Sequence, residues 1–239
     1  MKSKIKVAVV SIVLMIALLF QPAGSSEVNA ASKPNLKRVA LVASTTISVS
    51  WSKVYGAKKY EIYCSEDNSK YEKVKETKKT NYSFKDLDLG TKYSYKVRAV
   101  LKSKKSVFSN ARNVTTLDWA YLLDVAKPYN NPDNYYETKF TVAGDSYGRG
   151  FNTSGNGTEL YFNLKGKYSK ISFVCGSTSD YADYEEEIEI YADGNKVSDT
   201  IIMKGLAMAK SYTVNINYCN QLRIVLPYRS GMGNIKVYK

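Results

Sequence analysis

The chain contains no histidine among its 239 residues. That absence removes the commonest general base at neutral pH, the usual hydrolytic triads and the HExxH type of zinc site. Acid–base catalysis is left to carboxylates. Cysteine is scarce too. Cys64, Cys175 and Cys219 are an odd count, so at most one intramolecular disulfide can form and a disulfide-stapled scaffold is excluded. Cys175 and Cys219 lie in alternating apolar runs, where they read either as a cross-strand pair or as small core side chains. Long apolar runs are missing beyond the first 20 residues, so no later segment is expected to cross a bilayer.

The apolar run that does exist is short and sits behind basic residues. Lys2, Lys4 and Lys6 precede Val7 to Phe20, which is apolar apart from Ser11. This is the pattern of a secretory signal peptide over residues 1–30. Val28 and Ala30 supply small residues before a cleavage point at Ala31. An uncleaved N-terminal anchor is the alternative; with cleavage, the chain keeps no membrane span and is expected to be secreted, extracellular or associated with the cell surface.

Acidic residues are scarce in only one half. Residues 32–117 hold 19 Lys and Arg against 7 Asp and Glu, a net charge of +12, whereas residues 118–239 hold 13 against 14, a net charge of −1. Nearly all of the chain's excess of +13 therefore belongs to one module.

Both halves alternate with period two, the mark of half-buried strands. In the first, Ile47, Val49 and Trp51 alternate with Ser48 and Ser50; Tyr60, Ile62 and Cys64 repeat the pattern, followed by Tyr82 and Phe84, then Tyr93, Tyr95, Val97 and Ala99. Gly56, the Glu66–Ser69 cluster and Leu89-Gly90-Thr91 punctuate the runs as turns. In the second, the alternating sets are Leu160/Phe162/Leu164, Ile171/Phe173/Cys175, Ile188/Ile190/Ala192, Tyr212/Val214/Ile216, Leu222/Ile224/Leu226 and Ile235/Val237. Asp193-Gly194-Asn195 is a hairpin turn, since glycine takes the positive φ such turns need. Between the halves, Asp118 is positioned to cap a short helical turn through Leu122 and Val125, which Pro128 and Pro132 stop. The expected fold class is all-β, with two antiparallel sandwiches meeting near residue 118.

The first half, residues 33–117, resembles a fibronectin type III domain. Trp51 stands where that family has its core tryptophan. Leu87-Asp88-Leu89-Gly90-Thr91-Lys92-Tyr93 resembles its tyrosine corner, with Leu89 where proline is usual, and Ser109-Asn110 followed by Val114-Thr115-Thr116 resembles its final strand. The resemblance implies a β-sandwich in which the corner tyrosine bonds back to the backbone. No Arg-Gly-Asp tripeptide supports an integrin-type role.

The second half, residues 118–239, resembles the NPCBM family, the novel putative carbohydrate-binding module of exported bacterial glycoside hydrolases and surface proteins. The similarity rests on ordered blocks: Tyr147-Gly148-Arg149-Gly150-Phe151, Leu160 to Lys170, a strand ending in Gly176, Glu189 to Val197, and Asn220-Gln221-Leu222-Arg223-Ile224. It implies a jelly-roll-like sandwich whose edge loops recognise sugars, sometimes with a structural calcium ion. A histidine common after the family's Gly-rich turn is replaced here by Asn152-Thr153-Ser154, and the acidic and aromatic residues usual near the C-terminus by Arg229 to Asn234. These departures bear on the ligand; the strand blocks that carry the fold are intact.

Sugar binding needs flat aromatic faces for the apolar side of a pyranose and planar polar groups for its hydroxyls. The second half holds 14 of the 21 tyrosines. Those in predicted loops, Tyr147, Tyr181, Tyr184 and Tyr228, are the candidate platforms, with Arg149, Asn152, Asp180 and Arg229 as polar companions. Glu185, Glu186, Glu187 and Glu189 could suggest the paired carboxylates of a glycosidase. Glu187 and Glu189 instead alternate with Ile188 and Ile190, so they share the solvent face of one strand and cannot flank a bond. No catalytic residue is assigned, no cofactor is expected beyond the calcium the resemblance implies, and no oxygen-ligand loop of recognisable spacing is present.

The expectation is a non-enzymatic bacterial protein that recognises a glycan or cell-wall polysaccharide, with the fibronectin-like module as a basic spacer or an adaptor attracted to anionic wall polymers. A surface adhesion or scaffold protein using both sandwiches for protein binding is the alternative. Nucleic acid is not an expected partner: export removes the chain from it, and along the sequence the lysines are scattered rather than grouped with stacking aromatics.

Overall fold

The computed structural model describes residues 32–130, 138–153 and 157–239. The leader read at 1–30, together with Pro132 and residues 154–156, lies outside the described residues. Seven strands build the first module: β1 (Leu36–Ala43), β2 (Thr46–Trp51), β3 (Lys59–Glu66), β4 (Glu72–Thr77), β5 (Asn81–Phe84), β6 (Lys92–Val100) and β7 (Arg112–Thr115). They form two antiparallel sheets, β1-β2-β5 and β4-β3-β6-β7. The period-two reading holds residue by residue. Ile47, Val49, Ile62, Tyr95, Val97 and Ala99 are fully buried between the sheets, and Trp51 packs edge-on against Tyr60 at 5.6 Å. The tyrosine corner closes as the resemblance implies, with the Asp88 N–H donating to the Tyr93 hydroxyl at 3.1 Å. β4 was not legible as a strand because it is a sheet edge whose side chains are almost all exposed.

The second module opens with β8 (Trp119–Tyr121) and one helical turn, α1 (Leu122–Val125). Ten strands follow: β9 (Thr138–Val142), β10 (Asp145–Thr153), β11 (Thr158–Asn163), β12 (Lys170–Ser177), β13 (Glu185–Ala192), β14 (Asn195–Lys196), β15 (Ile201–Lys204), β16 (Lys210–Asn215), β17 (Gln221–Leu226) and β18 (Ser230–Tyr238). One sheet runs β16-β12-β18-β10-β9, with β8 also paired to β18; the other runs β11-β17-β13-β14, with β15 also paired to β13. Their inner faces enclose Phe162, Ile171, Ile188, Ile190, Leu222, Ile224, Ile235 and Val237, all fully buried. The β13–β14 hairpin turns on Asp193 and Gly194, both at positive φ (47° and 85°), as the turn that matches strand twist requires. The three cysteines are free and buried. Burial pushes the Cys175 thiol up to about 12, so it is a packed, protonated side chain.

One local expectation is corrected. Helix α1 starts after Tyr121, which has extended backbone and no capping hydrogen bond; Asp118 is not its cap, because β8 intervenes and the Asp118 carbonyl accepts from the Lys239 N–H at 3.3 Å. The pairing of β8 with β18 outcompetes a longer helix. No helix among the described residues is long and apolar enough to cross a membrane.

The modules are joined by more than the chain. Lys239 Nζ of the second module donates to the Thr91 hydroxyl oxygen of the first at 3.2 Å, and Lys167 of the second lies 3.5 Å from Asp88 of the first. Leu89, from the tyrosine corner of the first sandwich, is only 4 % exposed and belongs to the apolar core of the second.

Candidate functional site

At one end of the second sandwich three connections meet: residues 178–184 between β12 and β13, residues 205–209 between β15 and β16, and the turn at residues 227–229 between β17 and β18. The turn holds Arg229 in the left-handed region (φ 49°). Its guanidinium lies over two rings, 4.9 Å from the Tyr181 centroid and 5.0 Å from that of Tyr228. Tyr181 and Tyr228 remain 60 % and 42 % exposed, so each keeps surface for a ligand.

The scaffold beneath is polar and paired. The Arg229 carbonyl accepts from the Thr178 N–H at 2.8 Å. The Ser179 N–H donates to the Ser177 hydroxyl oxygen at 2.9 Å, and the Tyr181 N–H to that of Ser179 at 3.2 Å. The Tyr184 hydroxyl donates to the Tyr228 carbonyl, tying the two connections together. Burial, then the charge of Glu186, raises the Tyr184 pKa, so the phenol stays a donor at neutral pH. Gly205 is required by close approach: a Cβ there would sit 1.8 Å from the Tyr181 carbonyl oxygen. Beside it, Leu206 and Met208 are exposed apolar side chains that the sequence patterning did not single out, since they fall in a connection without periodicity.

Five of the eight predicted site residues, Asp180, Tyr181, Tyr184, Tyr228 and Arg229, thus share one edge. Tyr147 and Arg149 do not join them, and both lie on strand β10, where loops were expected. Glycines made this stretch look like a loop; the register shift between Tyr147 and Gly150 accommodates them as an irregularity within a strand. Tyr147 stacks on Phe140 at 5.1 Å. Arg149 lies 4.6 Å over the Tyr121 ring and pairs with Asp124, so its charge is already engaged. Asn152 is exposed further along β10, opposite Gly231.

Glu187 and Glu189 share one strand face, as their spacing requires. Ile188 and Ile190 are fully buried, while Glu187 and Glu189 bind the same ammonium, Lys196, at 2.7 and 2.8 Å. The Lys196 and Tyr191 hydrogen bonds hold the Glu189 carboxyl below its ordinary range, opposite to what a general acid needs. Among the described residues no group of three or more Cys, Asp or Glu side chains converges as a metal site. The calcium implied by the resemblance has no such ligand set there.

On the first module, the outer face of β4-β3-β6-β7 corrects the expectation that the lysines are not grouped with aromatics. Lys96 sits 4.0 Å over Tyr71 and 4.5 Å over Phe108. Arg98 lies 5.2 Å over Tyr63 and 4.8 Å over Phe108. Glu61, buried at the centre of this face, binds Arg98 at 2.7 Å, Lys105 at 3.0 Å and Lys73 at 3.9 Å. Strand pairing aligns Tyr63 with Lys96 and Glu61 with Arg98, a juxtaposition that cannot be seen along one strand.

With this geometry in hand, the chain can be set beside known proteins. The NPCBM/NEW2 domain matches residues 111–235. The chain belongs to the NPCBM/NEW2 family. Ahead of its NPCBM domain, residues 32–115 match the fibronectin type III domain. Solved structures similar to the chain include the crystal structure of FN3tt, 30 % identical, covering 36 % of this chain and 97 % of that one, with a TM-score of 0.31. A Fn3-like protein from Clostridium thermocellum is 26 % identical over 35 % of this chain and 91 % of its own, TM-score 0.32. The fn3 domain of human collagen alpha-1(XX) is 23 % identical over 39 % and 92 %, TM-score 0.34. No curated protein matches the chain. The NPCBM assignment points to carbohydrate binding, and the fibronectin type III module is of a kind that commonly serves as spacer or adhesion domain.

Proposed function

We propose that the NPCBM sandwich binds a glycan through the Tyr181–Arg229–Tyr228 edge, in a non-catalytic protein exported to the cell surface or beyond. The observation that carries this reading is the Arg229 guanidinium held over two half-exposed tyrosine rings. Such a set offers a planar donor for vicinal hydroxyls beside apolar faces for a pyranose. The basic leader supports export, and the pairing of Glu187 and Glu189 with one lysine supports the absence of glycosidase chemistry. The test is a glycan array with residues 31–239, in which Arg229→Ala and Tyr181→Ala each lower the affinity for any bound glycan at least tenfold. Binding that survives both substitutions removes the edge as the site. Binding of proteins but of no glycan favours the adhesion or scaffold reading.

A specific observation favours a second role for the first module. Its outer face groups Lys73, Lys96, Arg98 and Lys105 around one buried carboxylate, and Lys96 has no carboxylate partner among the described residues. This face suits a linear anionic wall polymer, whose repeating charges the unneutralised ammonium groups attract over a screened range of about 10 Å at 0.1 M salt.

A further inference from the structure

A cleft of about 690 Å³ opens where the two modules meet. One wall is the tyrosine-corner loop, Asp86 to Leu89; the other is the β11–β12 connection from Asn163 to Tyr168, with Tyr218 beside it. The cleft exists because the first module is anchored. Leu89, at the position where the fibronectin resemblance has proline, is buried in the NPCBM core. Lys239 Nζ donates to the Thr91 hydroxyl oxygen at 3.2 Å, and Lys167 lies 3.5 Å from Asp88.

The polar groups of this cleft are largely unspent. The Asp86 carboxylate, the Asn163 amide, the Lys165 ammonium and the Tyr168 and Tyr218 hydroxyls make no hydrogen bond or ion pair among the described residues. Asp86, Lys165 and Tyr218 are all held at positive φ (55°, 55° and 57°), a conformation costly for residues other than glycine and often retained where side chains must be aimed. Tyr168 is buried at the back of this lining. Burial, then the charges of Asp88 and Asp86, raises its pKa, so it faces the carboxylates as a protonated donor. Tyr218 is 54 % exposed at the mouth.

We infer that this cleft is a second binding site, shared between the modules, for a neutral saccharide. The charges of the cleft are of both signs, Asp86 and Asp88 beside Lys165, Lys167 and Lys239, with Lys167 already on Asp88. A polyanion would meet the unpaired Asp86 carboxylate next to any ammonium it reached, and an apolar ligand would strip water from these groups without replacing it. A pyranose satisfies both walls: hydroxyls donate to Asp86 and accept from Lys165 and Tyr168, while the C–H face rests on Tyr218. The volume is that of an ordinary small-ligand site.

The inference is independent of the edge at Arg229, and the experiment separates the two. Residues 31–239 are titrated with glucose, galactose, N-acetylglucosamine and lactose, with saturation-transfer NMR as readout, in the native sequence and in Asp86→Asn, Tyr218→Asn and Arg229→Ala. Asparagine is chosen because it tolerates positive φ. At least one sugar is expected to bind with affinity reduced tenfold or more by Asp86→Asn and Tyr218→Asn and unchanged by Arg229→Ala. If either variant unfolds, Lys165→Ala replaces it and is expected to weaken binding. Absence of binding by all four sugars, or binding that only Arg229→Ala reduces, overturns the inference.

Discussion

The two sandwiches gather their charge in different places. In the first module Tyr60, Tyr93 and Tyr95 are core residues, Tyr63 and Tyr71 on the outer sheet face lie beneath Arg98 and Lys96, and Tyr55 stands exposed on a turn. In the second, Tyr181, Tyr218 and Tyr228 stand exposed on connections, and Arg229 covers two of them only in part. The first module carries +12 and sets Lys73, Lys96, Arg98 and Lys105 on one sheet face; the second is nearly neutral and gathers Asp180, Tyr181, Tyr228 and Arg229 on its connections. The comparison teaches that a sheet face suits an extended, repeating partner, whereas an edge of connections suits a compact one. Each connection contributes one or two side chains from a different direction. It also shows that the division is not complete, since Leu89 belongs by sequence to one module and by burial to the other.

That shared residue offers the strongest way to break the comparison. Leu89→Asp buries an unpaired carboxylate in the NPCBM core, and the expected loss is about 3–5 kcal/mol from the second module, with the first little changed. Each module carries one tryptophan, Trp51 or Trp119, so urea melts of single-tryptophan variants (Trp119→Phe or Trp51→Phe) assign the loss. A fall confined to the Trp51 transition would show that Leu89 serves only its own sandwich.

A smaller effect is expected at Glu61, which sharpens the contrast in charge. Burial alone would raise this carboxyl, but hydrogen bonds from Lys105 and Arg98 outweigh it and hold its pKa below 4.5. A depressed folded-state pKa contributes stability above the unfolded value and loses it as pH falls through the folded value. The first module is therefore expected to weaken on acidification below about pH 4.5, and Glu61→Ala, which leaves its cations facing one another, to cost about 2–3 kcal/mol at pH 7 and flatten that acid dependence. Urea melts across pH, followed through Trp51, give the answer, and an unchanged slope would remove Glu61 as the titrating group.

The smallest effect falls on the outer sheet face itself. Lys96→Ala is expected to weaken binding of poly(glycerol phosphate) about threefold to tenfold in 50 mM salt, with the difference vanishing in 1 M salt as screening shortens to about 3 Å. A loss that persists at high salt would point to the aromatic surface rather than to charge.

Much of the fold was legible because its signals are local. Strands β2, β3 and β6, and β11 through β13 with β17 and β18, announce themselves by alternation, and Asp193-Gly194 by turn chemistry. Strand β4 was hidden by exposure on both faces, β15 by its brevity, and β10 by glycines whose role is steric. At Gly150 a Cβ would sit 1.9 Å from the Met232 carbonyl oxygen of the neighbouring strand. The candidate site was half legible. Residue type and loop position picked out Asp180, Tyr181, Tyr184, Tyr228 and Arg229, which the structure brings to one edge, and also Tyr147 and Arg149, which it places apart from them against Phe140, Tyr121 and Asp124.

By itself the sequence determined that there are two antiparallel sandwiches, that one is strongly basic, and which side chains face inward. Those properties follow from period-two alternation and from charge counts, which need no partner strand to be read. Only the tertiary structure decided which side chains meet: Arg229 over Tyr181, Lys96 over Tyr71 and Phe108, and Leu89 in the neighbouring core. These contacts join residues far apart in the chain, and strand register, sheet packing and the path of each connection bring them together. Local patterning states which way a side chain points, and long-range packing states what it finds there.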